Sequence, residues 1–119
     1  MRRVRVTGPA RRDIFRALQR SSEDFGAQAR DRYQRLLDQP LIDLGEDPNR
    51  VGVRPIRDVR RGYFTYHIKS STERTPKPAV RQPRHLLAFY VDDAGDVIVA
   101  RVFHDRQMLS RHLVTYDGP

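Results

Sequence analysis

Between Val97 and Phe103 every residue is apolar except Arg101, and no other stretch constrains the fold as much. Seven residues of that character make a buried strand that carries one cation among its side chains. Upstream, Asp92-Asp93-Ala94-Gly95-Asp96 is a turn cluster. Leu86 to Val91 is a second apolar run, so the two predict a hairpin. Gly62 to Ile68, aromatic and β-branched, predicts a third strand ahead of them.

The N-terminal half has a different period. Arg3 to Thr7 alternates basic and apolar residues, which suits a short strand with one buried face. Gly8 and Pro9 then open a helix, since proline is tolerated in a first turn. Ala10, Ile14, Ala17 and Leu18 recur at three- and four-residue steps, giving an amphipathic helix to about Ser22. Phe25-Gly26 breaks it. A longer helix follows from about Ala27, with Ala29, Tyr33, Leu36, Leu37 and Leu44 on one side. Pro40 lies inside it and is expected to kink or interrupt it, because it lacks a backbone donor.

Strand, helix, helix, strand, strand, strand predicts an α+β domain with a helical hairpin packed on one face of a mainly antiparallel sheet. The opposite face is expected to be free for binding. The chain reads as a single domain over residues 1–119, with a flexible Pro-rich loop at about 70–83 that holds Pro76, Pro78 and Pro83.

Composition limits the function classes. The net charge is +8, and all but two of the 23 positive side chains (Lys69 and Lys77) are arginine. Guanidinium forks suit phosphate and carboxylate, so the charge points to polyanions or to an acidic protein partner. No apolar run approaches membrane-spanning length and no secretory leader is recognisable, so a cytoplasmic protein without a membrane partner is expected. There are no cysteines, and the four histidines lack metal-ligand spacing, which argues against a metal site. No glycine-rich phosphate loop is present, and no cofactor is expected.

Candidate chemistry gathers near the C-terminal strand. Arg101 could stabilise phosphate charge or pair with an acidic partner; the alternative is a structural salt bridge to Asp92 or Asp96. Strict alternation groups it with Val97, Val99 and Phe103, against Ile98, Ala100 and Val102. It stands on the open face if the latter set packs under the helices. His104 closes the strand and could act as acid or base or anchor a helix start; alternation puts it opposite Arg101. Tyr63 beside Arg60 and Arg61 could stack on bases, although strand aromatics are more often core.

The order of these residues resembles a family. His104, Arg106, Arg111, His112 and Leu113 after a strand with an embedded arginine are similar to the C-terminal signature of the RelE/ParE toxins of type II toxin–antitoxin systems. Gly8-Pro9-Ala10, Asp13-Ile14, Phe25-Gly26, Tyr33, Leu37, Leu44 and Asp47-Pro48 fit its N-terminal half. The resemblance implies a small βααβββ fold and a cognate antitoxin, which the +8 charge suggests is acidic and partly disordered. It offers two activities. RelE-like members cut messenger RNA on the ribosome by attack of the ribose 2′-hydroxyl on phosphate, for which Arg101, His104, Arg106 and Tyr116 are the catalytic candidates. ParE-like members bind and poison DNA gyrase, for which Arg60, Arg61, Tyr63, Arg101, Phe103, His104, Arg106 and Arg111 are candidate target or antitoxin contacts. The central strands carry no complete acid–base–cation set, which favours the ParE-like branch. A plain basic nucleic-acid-binding module, without toxicity, is the remaining alternative.

Overall fold

The computed structural model describes residues 1–56, 62–75, 77, 80 and 82–106. In chain order the elements are β1 (Val4–Val6), α1 (Gly8–Phe25), α2 (Ala27–Glu46), β2 (Arg54–Pro55), β3 (Phe64–His67), a 3-10 helix (Ile68–Arg74), β4 (His85–Val91) and β5 (Val97–His104). The sheet has the order β1-β5-β4-β3-β2. β1 pairs in parallel with β5, with Val4 opposite Val97 and Val6 opposite Val99. The other neighbours are antiparallel. The result is the α+β arrangement expected, with one very short strand, β2, added at an edge.

Thr7 starts α1 by two bonds. Its hydroxyl oxygen accepts from the Ala10 N–H at 3.3 Å, and the hydroxyl donates to the Ala100 carbonyl at 2.9 Å, tying the helix start to β5. Gly26 takes φ +90° to join the two helices in a single-residue turn. α2 runs through Pro40 without interruption, and Pro40 is buried. The packed core on that side outweighs one lost backbone bond. Leu18, Leu36, Leu37 and Leu44 meet Tyr66, Leu87, Phe89, Val97, Val99 and Val102 in the main core.

Two expectations about the sheet are corrected. The β4–β5 register shifts at Ala88/Phe89: Ala88 faces Arg101 while Phe89 faces Val99, leaving Ala100 as an extra residue. A bulge of that kind resets the alternation. Val97, Val99 and Val102 therefore face the helices, and Ala100 joins the opposite side. That opposite side is not an open binding face. Tyr63, Ala88, Ala100 and Phe103 are buried there as a second cluster, with Ile56, Leu86 and Tyr90 packed against them, and the Tyr63 and Tyr90 rings meet edge to face at 5.4 Å.

A third correction concerns the segment expected to be a loop from residue 70. Its first part belongs to the 3-10 helix, whose Ile68 and Ser71 are buried. Asp43, fully buried on α2, explains the docking. It accepts from Ser71 Oγ at 2.6 Å and from Gln39 Nε2 at 2.9 Å. Arg74 and Arg50 reach it at 2.7 and 3.1 Å. The Tyr66 hydroxyl, pushed up in pKa by burial, lies 2.7 Å from Ser71 Oγ. Gly52 has φ +103°, and a Cβ there would come within 2.9 Å of Ser70 Oγ, so a side chain is disfavoured on both counts.

Candidate functional site

The end of the sheet formed by the last residues of β3 and β5 and the first of β4 collects most of the chemistry. His85 lies opposite His104 in the β4–β5 register, and their rings meet edge to face with centroids 5.5 Å apart. Behind them, Tyr33 of α2 brings its hydroxyl to 2.6 Å from His85 Nδ1. The Tyr33 oxygen also accepts from the Arg84 backbone N–H at 3.1 Å. The proton of the Tyr33–His85 bond can come from the hydroxyl or from the ring, since the tyrosine oxygen can accept twice. Backbone donors fix the other two rings. His67 Nδ1 accepts from the Lys69 N–H and His104 Nδ1 from the Arg106 N–H, at 3.1 and 3.2 Å, so each carries its proton on Nε2.

Asp105 holds the cluster together. His67 Nε2 donates to its Oδ2 at 3.3 Å, and Arg84 reaches its Oδ1 at 3.2 Å. Burial works against this carboxylate, yet the His67 bond and the Arg84 charge hold its pKa below the usual range. Burial pushes the Tyr33 hydroxyl up. His85 is lowered to about 4, first by burial and then by neighbouring His104.

That shift makes a prediction. Unfolded His85 takes its proton near the ordinary histidine value of 6.5, whereas the folded protein resists it until about 4. The folded state thus binds fewer protons between these values, and its stability is complete above the upper one. Stability should fall by as much as about 3 kcal/mol as pH drops through this window, with no further loss from this group below it. Urea midpoints at several pH values should show the slope, and His85→Gln should flatten it. An equal slope in the variant would remove His85 as the cause.

Arg101 is not on an open face. Its Nε and Nη2 donate to the two oxygens of Asp13 on α1, at 2.6 and 3.0 Å. Asp13 Oδ2 also accepts from the Val102 N–H at 2.9 Å, taking a ladder position beyond the end of β1. The two side chains are only 12% and 10% exposed. The guanidinium also lies over the Phe103 ring, 4.7 Å from its centroid. This is the structural ion pair that was the alternative reading, with Asp13 as partner in place of Asp92 or Asp96.

The sequence candidates therefore separate. His104 and exposed Arg106 share the sheet end. Tyr63 and Phe103 are buried, at 2% and 0% exposure, and cannot be surface contacts as they stand. Arg60, Arg61, Arg111 and Tyr116 lie outside the described residues. Sequence reasoning did not gather His85, Tyr33, Arg84 and Asp105 into one site; only the register that sets His85 against His104 does so. Among the described residues no three His, Asp or Glu side chains are placed so that they could hold a metal ion, and no helix is long and apolar enough to cross a membrane.

A family model described as the ParE toxin of the type II toxin–antitoxin system parDE matches residues 4–109. A chain in the crystal structure of the toxin–antitoxin complex RelBE2 from Mycobacterium tuberculosis is similar in fold, with a TM-score of 0.50 and 23% identity. The match covers 87% of this chain and 96% of that one. No curated protein matches the chain.

Proposed function

We propose, on the premise that this chain belongs to the ParE toxin family of type II toxin–antitoxin systems, that it arrests growth by binding DNA gyrase in the cytoplasm without cutting nucleic acid. A toxin of this type has a cognate antitoxin as partner. The +8 charge fits an antitoxin segment that is acidic and partly disordered and folds on binding.

The observation that carries the choice of binding over cleavage is the donor character of the sheet end. His67 and His104 each have Nδ1 engaged as an acceptor of a backbone N–H and the proton on Nε2, and His85 Nδ1 is taken up by the Tyr33 hydroxyl. The Asp105 oxygens are engaged by His67 and Arg84. Arg101 is committed to Asp13. Cutting RNA through the 2′-hydroxyl needs a group that accepts its proton, and this arrangement offers N–H donors and cations instead. His104, Arg84 and Arg106 are the contacts proposed for target or antitoxin.

The purified chain is expected to block supercoiling of relaxed plasmid by gyrase and to leave messenger RNA intact. In cells, thymidine incorporation should fall before methionine incorporation. Arg106→Ala should weaken the inhibition about tenfold, as removal of a contact residue does, with no change in melting temperature because the side chain is exposed. Early loss of methionine incorporation with cut messenger RNA would replace this reading with the endonuclease.

A further inference from the structure

The outward face of α1 has its charges arranged against its own dipole. A helix is positive at its N-terminal end and negative at its C-terminal end, so acids stabilise the first turn and bases the last. Here the first turn has no acid and the last has no base. Arg11, Arg12 and Arg16 are exposed in the N-terminal half, and Glu23 and Asp24 in the last turn. Asp13, which could have offset the arginines, is turned inward to Arg101. Between the two ends stands Phe15, 62% exposed. It borders a shallow groove of about 220 Å³ shared with Gln19, Ser22, Glu23 and Arg30.

An acidic partner would satisfy the basic half and repel the acidic one. A helix running the opposite way with the reverse charge order satisfies both, and α1 itself is such a helix. We propose that α1 pairs antiparallel with α1 of a second copy about a two-fold axis level with Ala17 and Leu18. Arg12 then meets the second copy's Glu23, and Arg16 its Gln19; at 100° per residue these are the pairs that lie near the facing line, with Phe15 and Arg20 on opposite flanks of it. The two dipoles also become antiparallel. Such an interface is isologous: every contact occurs twice.

The +8 charge of each copy opposes approach. At physiological salt, however, charges more than about 8 Å apart are largely screened, so the contact pattern decides. The 18-residue helix is about 27 Å long, and one helix pair buries little, so the dimer belongs to the weak class. It is independent of which target the chain acts on.

Sedimentation equilibrium of the full chain, freed of antitoxin and taken to on the order of 0.5 mM, tests it. The weight-average mass should climb from 13.9 kDa towards twice that value. Arg12→Glu and Glu23→Arg should each weaken association at least about tenfold. The two together should restore it to within about threefold, because the swapped charges meet again. Both sites are exposed and both changes bring the charge into line with the helix dipole, so unfolding midpoints should hold or rise slightly and lost association cannot be put down to unfolding. A mass of 13.9 kDa at every concentration overturns the proposal. So does a dimer indifferent to the single changes, or a double variant no better than either. A monomeric chain whose antitoxin binding is lost in Arg12→Glu would assign this face to the antitoxin and equally overturn it.

Discussion

Asp43→Ala is expected to lower the free energy of unfolding by about 3–5 kcal/mol, the range for breaking a buried ion pair by removing one partner. Asp43 has no solvent exposure, and four side chains from three regions converge on it: Gln39 of α2, Arg50 of the following loop, and Ser71 and Arg74 of the 3-10 helix. Alanine leaves Ser71 Oγ and Arg50 without their acceptor in the interior. Arg74 is nearly half exposed and can turn to water or to Glu46, which favours the lower end of the range. Asp43→Asn keeps an acceptor oxygen for either Ser71 or Gln39, which bond different carboxylate oxygens, turns an amide donor towards the other and loses the charge, so about 1–3 kcal/mol is expected. Urea unfolding gives both values. Hydrogen exchange should show the amides of 68–74 losing protection ahead of the sheet in the alanine variant, because Asp43 is what docks them. A loss under about 1 kcal/mol, or uniform exchange across the domain, would mean that hydrophobic contacts of Ile68 hold the 3-10 helix without the carboxylate.

That network also shows what kind of structure the sequence conceals. The β4–β5 hairpin was legible because its turn residues and apolar runs are local signals, as were the helical hairpin around Gly26 and the succession of elements along the chain, β2 excepted. The 3-10 helix was not. Its sequence, Ile68 to Arg74, has one apolar residue and no period, and its place is fixed by a carboxylate 28 residues upstream of Ser71. Pro40 was expected to kink or interrupt α2, and the helix runs through it without interruption because long-range packing holds it. The bulge at Ala100 matters most for the site. Alternation through β5 is a sound rule until one residue is added, and then every later side chain changes face. His104 was legible as a candidate, whereas its neighbours His85 and Tyr33 come from other elements, and nothing in their local sequence joins them. Asp13 did carry a signal, as the one acid among Arg11, Arg12 and Arg16, but the strand it would reach could not be read from that alone.

Arg101→Ala is expected to destabilise the protein by about 2–4 kcal/mol, and this changes how its effect on toxicity should be read. The bidentate pair at 2.6 and 3.0 Å is nearly buried, and Asp13 shares its Oδ2 with the Val102 N–H. Removing the guanidinium leaves a carboxylate at the α1–β5 seam with a single backbone donor, and uncovers one face of the Phe103 ring. Asp13→Ala should cost a similar amount, since it strands Arg101 and the Val102 N–H together. Removing both partners, as Asp13→Ala with Arg101→Met, should cost less than the sum of the single changes by at least about 1.5 kcal/mol. Additive effects in that cycle would mean that the two side chains are near each other without depending on each other. If the coupling is found, loss of growth arrest in Arg101→Ala reports unfolding as readily as a lost contact. Arg106→Ala and His104→Gln are then the variants that separate surface from scaffold: they lie beyond the seam, at the sheet end. Loss of gyrase inhibition in Arg106→Ala at an unchanged melting temperature would place function at that end. Retained inhibition there, with loss in a double Asp13/Arg101 variant that still folds, would return it to the strand itself.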